Sequence, residues 1–149
     1  MKKYELTEET VTVYGKTLYR IRAVRDFGSV KTGEFGGYIE KEENLSHFGN
    51  AWISGDAWVY GNAWVYGNAE VFNTRHFFVQ GPIGSRDGYV TFYRTKDDTI
   101  GVRCGCFSGS LQKFVDRVEE THGGSRYEKE YKLAAELAKV CIRLEGESR

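Results

Sequence analysis

The sequence predicts an α+β chain: a short β-helix of about two coils, preceded by a β-hairpin and followed by a small module of β-strands and two helices. Three observations predict it. Residues 49–72 repeat with a period of six, reading GNAWIS, GDAWVY, GNAWVY and GNAEVF. β-branched and aromatic runs precede the repeat, and strand-like runs give way to helix-like ones after residue 76. The 18 glycines against one proline suit a chain of many tight turns.

Taken in order, Thr10–Tyr14 and Thr17–Val24 are two strand-forming runs separated by Gly15-Lys16, the pattern of a hairpin. Arg20 and Arg22 share one face of the second run, and Tyr19, Ile21 and Ala23 the other. A glycine-punctuated stretch from Arg25 to Ile39 leads into the repeat. Within it, Ala51, Ala57, Ala63 and Ala69 recur at one phase and Ile53, Val59, Val65 and Val71 two residues later. Residues two apart in a strand share a face, so both sets point inward, and each Gly-Asn or Gly-Asp closes a short flat segment. Ile39 and Leu45 hold the alanine phase further upstream, which extends the repeat to roughly two coils. Coils this few need caps, supplied by the flanks or by a second copy of the chain. The outward positions carry Trp52, Trp58 and Trp64 at one phase and Tyr60, Tyr66 and Phe72 at another. Two readings are open: the rings pack beneath the terminal segments, or they form an interface for self-association.

The hexads resemble those of left-handed β-helices of the hexapeptide class. The run AVRDF, then VKTGEFGGYIE and LS ahead of the hexads, resembles the corresponding segment of YdcK-like bacterial proteins and of phage and prophage proteins, over about residues 18–72. The strings QGPIGSRDGYVTFYRTKDD, VRCGCFSGSLQKF and ETHGG resemble a phage-type α+β module. The resemblance implies a fold and a phage origin. It transfers no activity, and this chain departs from the longer relatives by ending its repeats early.

After the repeat, His76–Gln80, Tyr89–Arg94 and Thr99–Phe107 read as strands, with Ile100, Val102, Cys104 and Cys106 alternating onto one face. Ser110 caps a helix whose Leu111, Phe114, Val115 and Val118 follow helical spacing, and Gly123-Gly124 ends it. A second helix from about Ser125 to Leu144 buries Tyr131, Ala134, Ala135, Ala138 and Cys141. The domain reading is therefore 1–75, hairpin and β-helix, and 76–149, the α+β module.

Lysine plus arginine count 21 and aspartate plus glutamate 21, so no general basic field exists for nucleic acid. No stretch is apolar enough for a signal peptide or membrane span, and the expected location is the cytoplasm, that of the host cell for a phage-encoded chain. The best small-molecule candidate is the loop Gly81–Gly88, where Gly84, Ser85, Arg86 and Asp87 combine turn-capable backbone with donors. Arg94, Lys96 and Arg103 lie on neighbouring strands and would add positive charge, which makes a nucleotide phosphate the natural guest. The plainer reading is a hairpin connection, and no Gly-Lys-Ser/Thr follows to make it a P-loop. Cys104-x-Cys106 with His122 lacks a second ligand pair, so no metal and no cofactor are expected. His47, His76 and His122 are scattered, and no nucleophile is paired with a base. Acyl transfer, known among longer hexapeptide β-helices, needs more coils than these. The chain therefore reads as a non-catalytic, phage-derived accessory protein and a homo-oligomer built through its β-helix. It would sequester a host nucleotide immune signal or inhibit a host defence protein. The alternative is a structural or assembly module that binds only protein.

Overall fold

The computed structural model describes residues 2–146. Strands β1 (Tyr4–Val13) and β2 (Lys16–Ala23) pair antiparallel, from Tyr4 opposite Ala23 to Val13 opposite Lys16. Tyr14 and Gly15 take φ of 50° and 78° at the turn, which suits the twist of a two-residue hairpin. β3 (Phe35–Ile39) pairs antiparallel with β2. The hexads contribute β4 (Trp52–Ile53), β5 (Trp58–Val59) and β6 (Glu70–Val71), each two residues long.

The expected β-helix does not form. The hexad strands are divided between two sheets: β5 closes a four-stranded sheet of order β1-β2-β3-β5, and β4 pairs only with β6. Among the described residues parallel pairing is confined to these short ladders and a Leu45–Val65 bridge, with no solenoid and no closed coil. The cause is local. Gly49, Gly55, Gly61 and Gly67 all take φ between 62° and 69°, turning the chain so often that two residues per segment stay extended. β3 then offers β5 an edge, with Tyr38 opposite Trp58 and Ile39 opposite Val59.

The inward phase of the repeat still decides the core. All four alanines and Ile53, Val59, Val65 and Val71 are buried, in one cluster with Tyr4, Ile21, Phe27 and Trp52. Two buried polar side chains stitch this cluster. Asn44 accepts from the N–H groups of Glu40 and Lys41 and donates to the carbonyls of Gly61 and Ala63. Lys3 donates from Nζ to the Ala51 carbonyl at 2.6 Å.

The second half forms one antiparallel sheet, β7 (Phe77–Ile83), β8 (Gly88–Arg94), β9 (Ile100–Cys104) and β10 (Phe107–Ser110), in spatial order β10-β9-β8-β7. Helices α1 (Leu111–His122) and α2 (Arg126–Cys141) follow, and Phe114, Val118, Tyr131 and Ala138 pack with Val90, Phe92 and Val102. The opposite sheet face meets the hexads: Tyr93 joins their cluster, and Thr91 Oγ1 accepts from the Trp64 N–H at 2.9 Å. The sheet is thus a middle layer. The expected strand Thr99–Phe107 is two strands, because Gly105 turns the chain at φ 56°, and this leaves Cys106 exposed in the turn instead of facing the helices. The second helix stops at Cys141, where Ile142 is extended.

Candidate functional site

The seven expected ligand residues do not converge. Gly84, Ser85, Arg86 and Asp87 lie between β7 and β8, at the opposite end of β8 from Arg94 and Lys96, roughly 20 Å away at 3.4 Å per residue. In that loop the Gly84 N–H, the group best placed to hold an anion, donates instead to Glu130 Oε1 at 2.7 Å. Ser85, Arg86 and Asp87 are exposed. Arg94 is buried and spoken for, with Asp98 at 2.9 Å and the Glu70 carboxylate at 3.3 Å. Arg103, beside Thr91 on the hexad-facing side of the sheet, stacks on Trp64 at 4.1 Å and Tyr66 at 4.4 Å. It fastens the sheet to the hexads.

Lys96 has a different setting. It is exposed and forms none of the ion pairs among the described residues. Its backbone N–H is held by the Asn68 carbonyl at 2.9 Å. This places it at a cavity of about 570 Å³ whose walls include Phe27, Trp52, Phe72, Asn50 and Asn68. The size suits a small ligand, and the lining mixes rings and amides with the Lys96 ammonium and two carboxylates, Glu34 and Glu70, the latter 3.3 Å from the Arg94 guanidinium. Two residues first considered for an interface, Trp52 and Phe72, therefore share a cavity with one first considered for a ligand.

Phe72 is the exposed ring of the cavity wall, and its neighbours restrain it. Its ring, 38% exposed, meets the edge of His76 at 4.5 Å and lies 5.0 Å from the Arg94 guanidinium. Its N–H donates to His76 Nδ1 at 3.2 Å. Burial, and next the Arg94 charge, hold the His76 imidazole below its ordinary 6.5, which keeps Nδ1 free to accept. Behind Arg94, Asp98 accepts from the N–H groups of Glu145 and Gly146, and these bonds hold its carboxyl below the usual range. The segment after α2 thereby braces the cavity from outside.

Asn50 and Asn68 were not anticipated. The signal was present: both follow a hexad glycine, and they are separated by as many residues as the paired Trp52 and Glu70. Of the remaining expected interface rings, Trp52 is only 6% exposed, Trp58, Tyr60 and Tyr66 are half-buried, and Trp64 is 39% exposed. A second, shallower groove of about 850 Å³ runs past Leu6, Phe48 and Trp64, where three carboxylates, Glu40, Glu42 and Glu43, stand against the single lysine Lys41, a stronger negative balance than Glu34 and the Arg94-paired Glu70 give the first cavity.

Among the described residues no group of three or more His, Cys, Asp or Glu side chains could hold a metal ion. No described helix is long and apolar enough to cross a membrane. No protein-family model matches the chain, and no curated protein matches it.

Proposed function

We propose that this chain is a non-catalytic binding protein that holds a nucleotide-class ligand in the cavity between Phe72 and Lys96. The observation that carries the reading is the meeting, in one cavity, of a restrained aromatic ring, two side-chain amides and an ammonium that forms no ion pair among the described residues, with Glu70 of the same wall neutralised by Arg94 and Glu34 at its rim. A base has a ring to lie against and amides to read its edge, and a phosphate has Lys96. Binding without turnover is sequestration, and the resemblance of the sequence to phage and prophage proteins supports a host nucleotide signal as the ligand we propose.

Calorimetric titration with adenosine monophosphate, guanosine monophosphate and inorganic phosphate tests this. At least one nucleotide binds the wild type more tightly than phosphate alone. Lys96→Gln weakens it about tenfold to a hundredfold, the worth of one hydrogen bond to a charged group. Phe72→Ala weakens it too, and Arg86→Gln leaves it unchanged. Absence of binding across the panel, or loss in Arg86→Gln but not in Lys96→Gln, contradicts the reading.

A further inference from the structure

Phe72 is fixed to the cavity wall by a histidine that can hold it in only one of its ionisation states. His76 closes the short helical turn Thr74–His76 after the last hexad, and it is buried. The Phe72 N–H, which can only donate, meets His76 Nδ1 at 3.2 Å, so Nδ1 carries no proton. The ring proton is therefore on Nε2, which faces the Glu145 carboxylate at 3.5 Å. The imidazole also stands edge-on to the Phe72 ring, the centroids 4.5 Å apart. Backbone and ring of one cavity residue thus both rest on a neutral imidazole.

Adding a proton reverses the first of these contacts. Both nitrogens of an imidazolium donate, so Nδ1–H would point at the Phe72 N–H with no acceptor between them. The groups around the ring decide how readily that proton arrives. Arg94, at the end of β8, lies 5.0 Å from the Phe72 ring, and its charge opposes a second cation beside it. Asp98, in the turn after β8, and Glu145, after α2, favour the cation, but Asp98 Oδ1 is already bonded to Arg94 Nε at 2.9 Å. Arg75, on the same turn as His76, directs Nε to the Cys141 carbonyl, and Arg143 donates to the carbonyls of Val140 and Cys141. Burial and Arg94 prevail, so the neutral form dominates at pH 7 and the cation forms only below the ordinary 6.5. We infer that His76 is the positioning residue of the cavity: neutral, it holds Phe72 in the wall, and protonated, it releases Phe72 and weakens the ligand. The second half rests on the nucleotide reading of the cavity, whereas the release of Phe72 needs no ligand.

Hydrogen exchange of the ligand-free chain from pH 8 to 5 tests the release. The reference is the Trp64 amide, whose acceptor, Thr91 Oγ1, does not titrate. Protection of the Phe72 amide falls about tenfold below pH 6.5 while that of Trp64 holds, the worth of one hydrogen bond. His76→Asn, whose Oδ1 supplies an acceptor that does not titrate, removes the fall, and Glu145→Gln moves it to lower pH, since a charge that favours the cation is gone. Calorimetry with adenosine and guanosine monophosphate over the same range tests the consequence. The ratio of wild-type to His76→Asn affinity, in which the phosphate's own ionisation at about 6 cancels, is constant above pH 6.5 and drops about tenfold below it. Phe72 protection that stays level while His76 titrates, a fall that persists in His76→Asn, or a level affinity ratio overturns the inference and leaves the nucleotide reading standing. No binding of either nucleotide at any pH overturns that reading and, with it, the role of His76 toward a ligand.

Discussion

Lys3 is a fully buried lysine with backbone carbonyls and the Phe27 ring for partners, the ring 4.8 Å from Nζ. Burial, and then the charge of Arg25, bring its ammonium down from 10.5 to about 8. The unfolded chain keeps that proton up to about 10.5, so between the two values it binds more protons than the native state and stability rises with pH. Tyr93 works in the opposite sense. Burial raises its phenol from 10.0 to about 12, so above 10 the unfolded chain loses a proton that the native state keeps, and stability falls. The two groups together predict a stability maximum just above pH 10, midway between their unfolded values, with a rise toward it of about 1 kcal/mol per pH unit at most. Urea denaturation at intervals from pH 7.5 to 11 measures it. In Lys3→Met the rise disappears and the fall above pH 10 remains.

At the scale of elements, the hexad segment is held by side chains as much as by its own ladders. Asn44 is the strongest case, because all four of its hydrogen bonds run to backbone groups on either side of it. Replacing it with leucine takes this partner from the Gly61 and Ala63 carbonyls and the Lys41 N–H, while the Glu40 N–H keeps the Val59 carbonyl at 3.3 Å. Asn44→Leu therefore costs roughly 3 kcal/mol or more, read as a lowered denaturation midpoint with an unchanged slope. Gly36 makes a steric counterpart: a Cβ there would lie 2.5 Å from the Ile53 carbonyl oxygen, so β3 can cross the hexads only because it has none.

These elements also divide what was legible from what was not. The inward phase of Ala51 through Val71, the Ser110 cap and the Gly15 turn were readable, since each depends on residues near in sequence. The pairing of the hexads was not. Whether Trp58 ladders with another hexad or with Tyr38 depends on which distant strand presents a free edge, and the phase that Ile39 shares with the repeat does not say that β3 pairs antiparallel with the hairpin and takes β5 alone. The four-residue β10 was misread for a smaller reason, one glycine at positive φ inside an otherwise strand-like run.

Over the whole molecule, the two halves of the chain meet across the middle sheet, and the cavity is a product of that meeting. Lys96 follows β8, whereas Trp52, Asn50, Asn68 and Phe72 come from the hexads. Reading the chain in order found Lys96 as a ligand residue and Phe72 as an interface residue, because each was judged beside its sequence neighbours. The backbone bond from Lys96 to Asn68 and the Ala69–Thr95 bridge join them. The Gly84 loop drew attention through its composition, but its best donor is already bonded to Glu130, a partner 46 residues away that composition does not reveal.

The central claim is the location of the ligand, and an amide and methyl NMR titration with adenosine monophosphate and guanosine monophosphate tests it most directly. The account predicts saturable shifts for at least one of them at Asn50, Asn68, Phe72 and Lys96, with Gly84 to Asp87 unmoved. Shifts centred on Gly84 to Asp87, or none with either nucleotide, would contradict it.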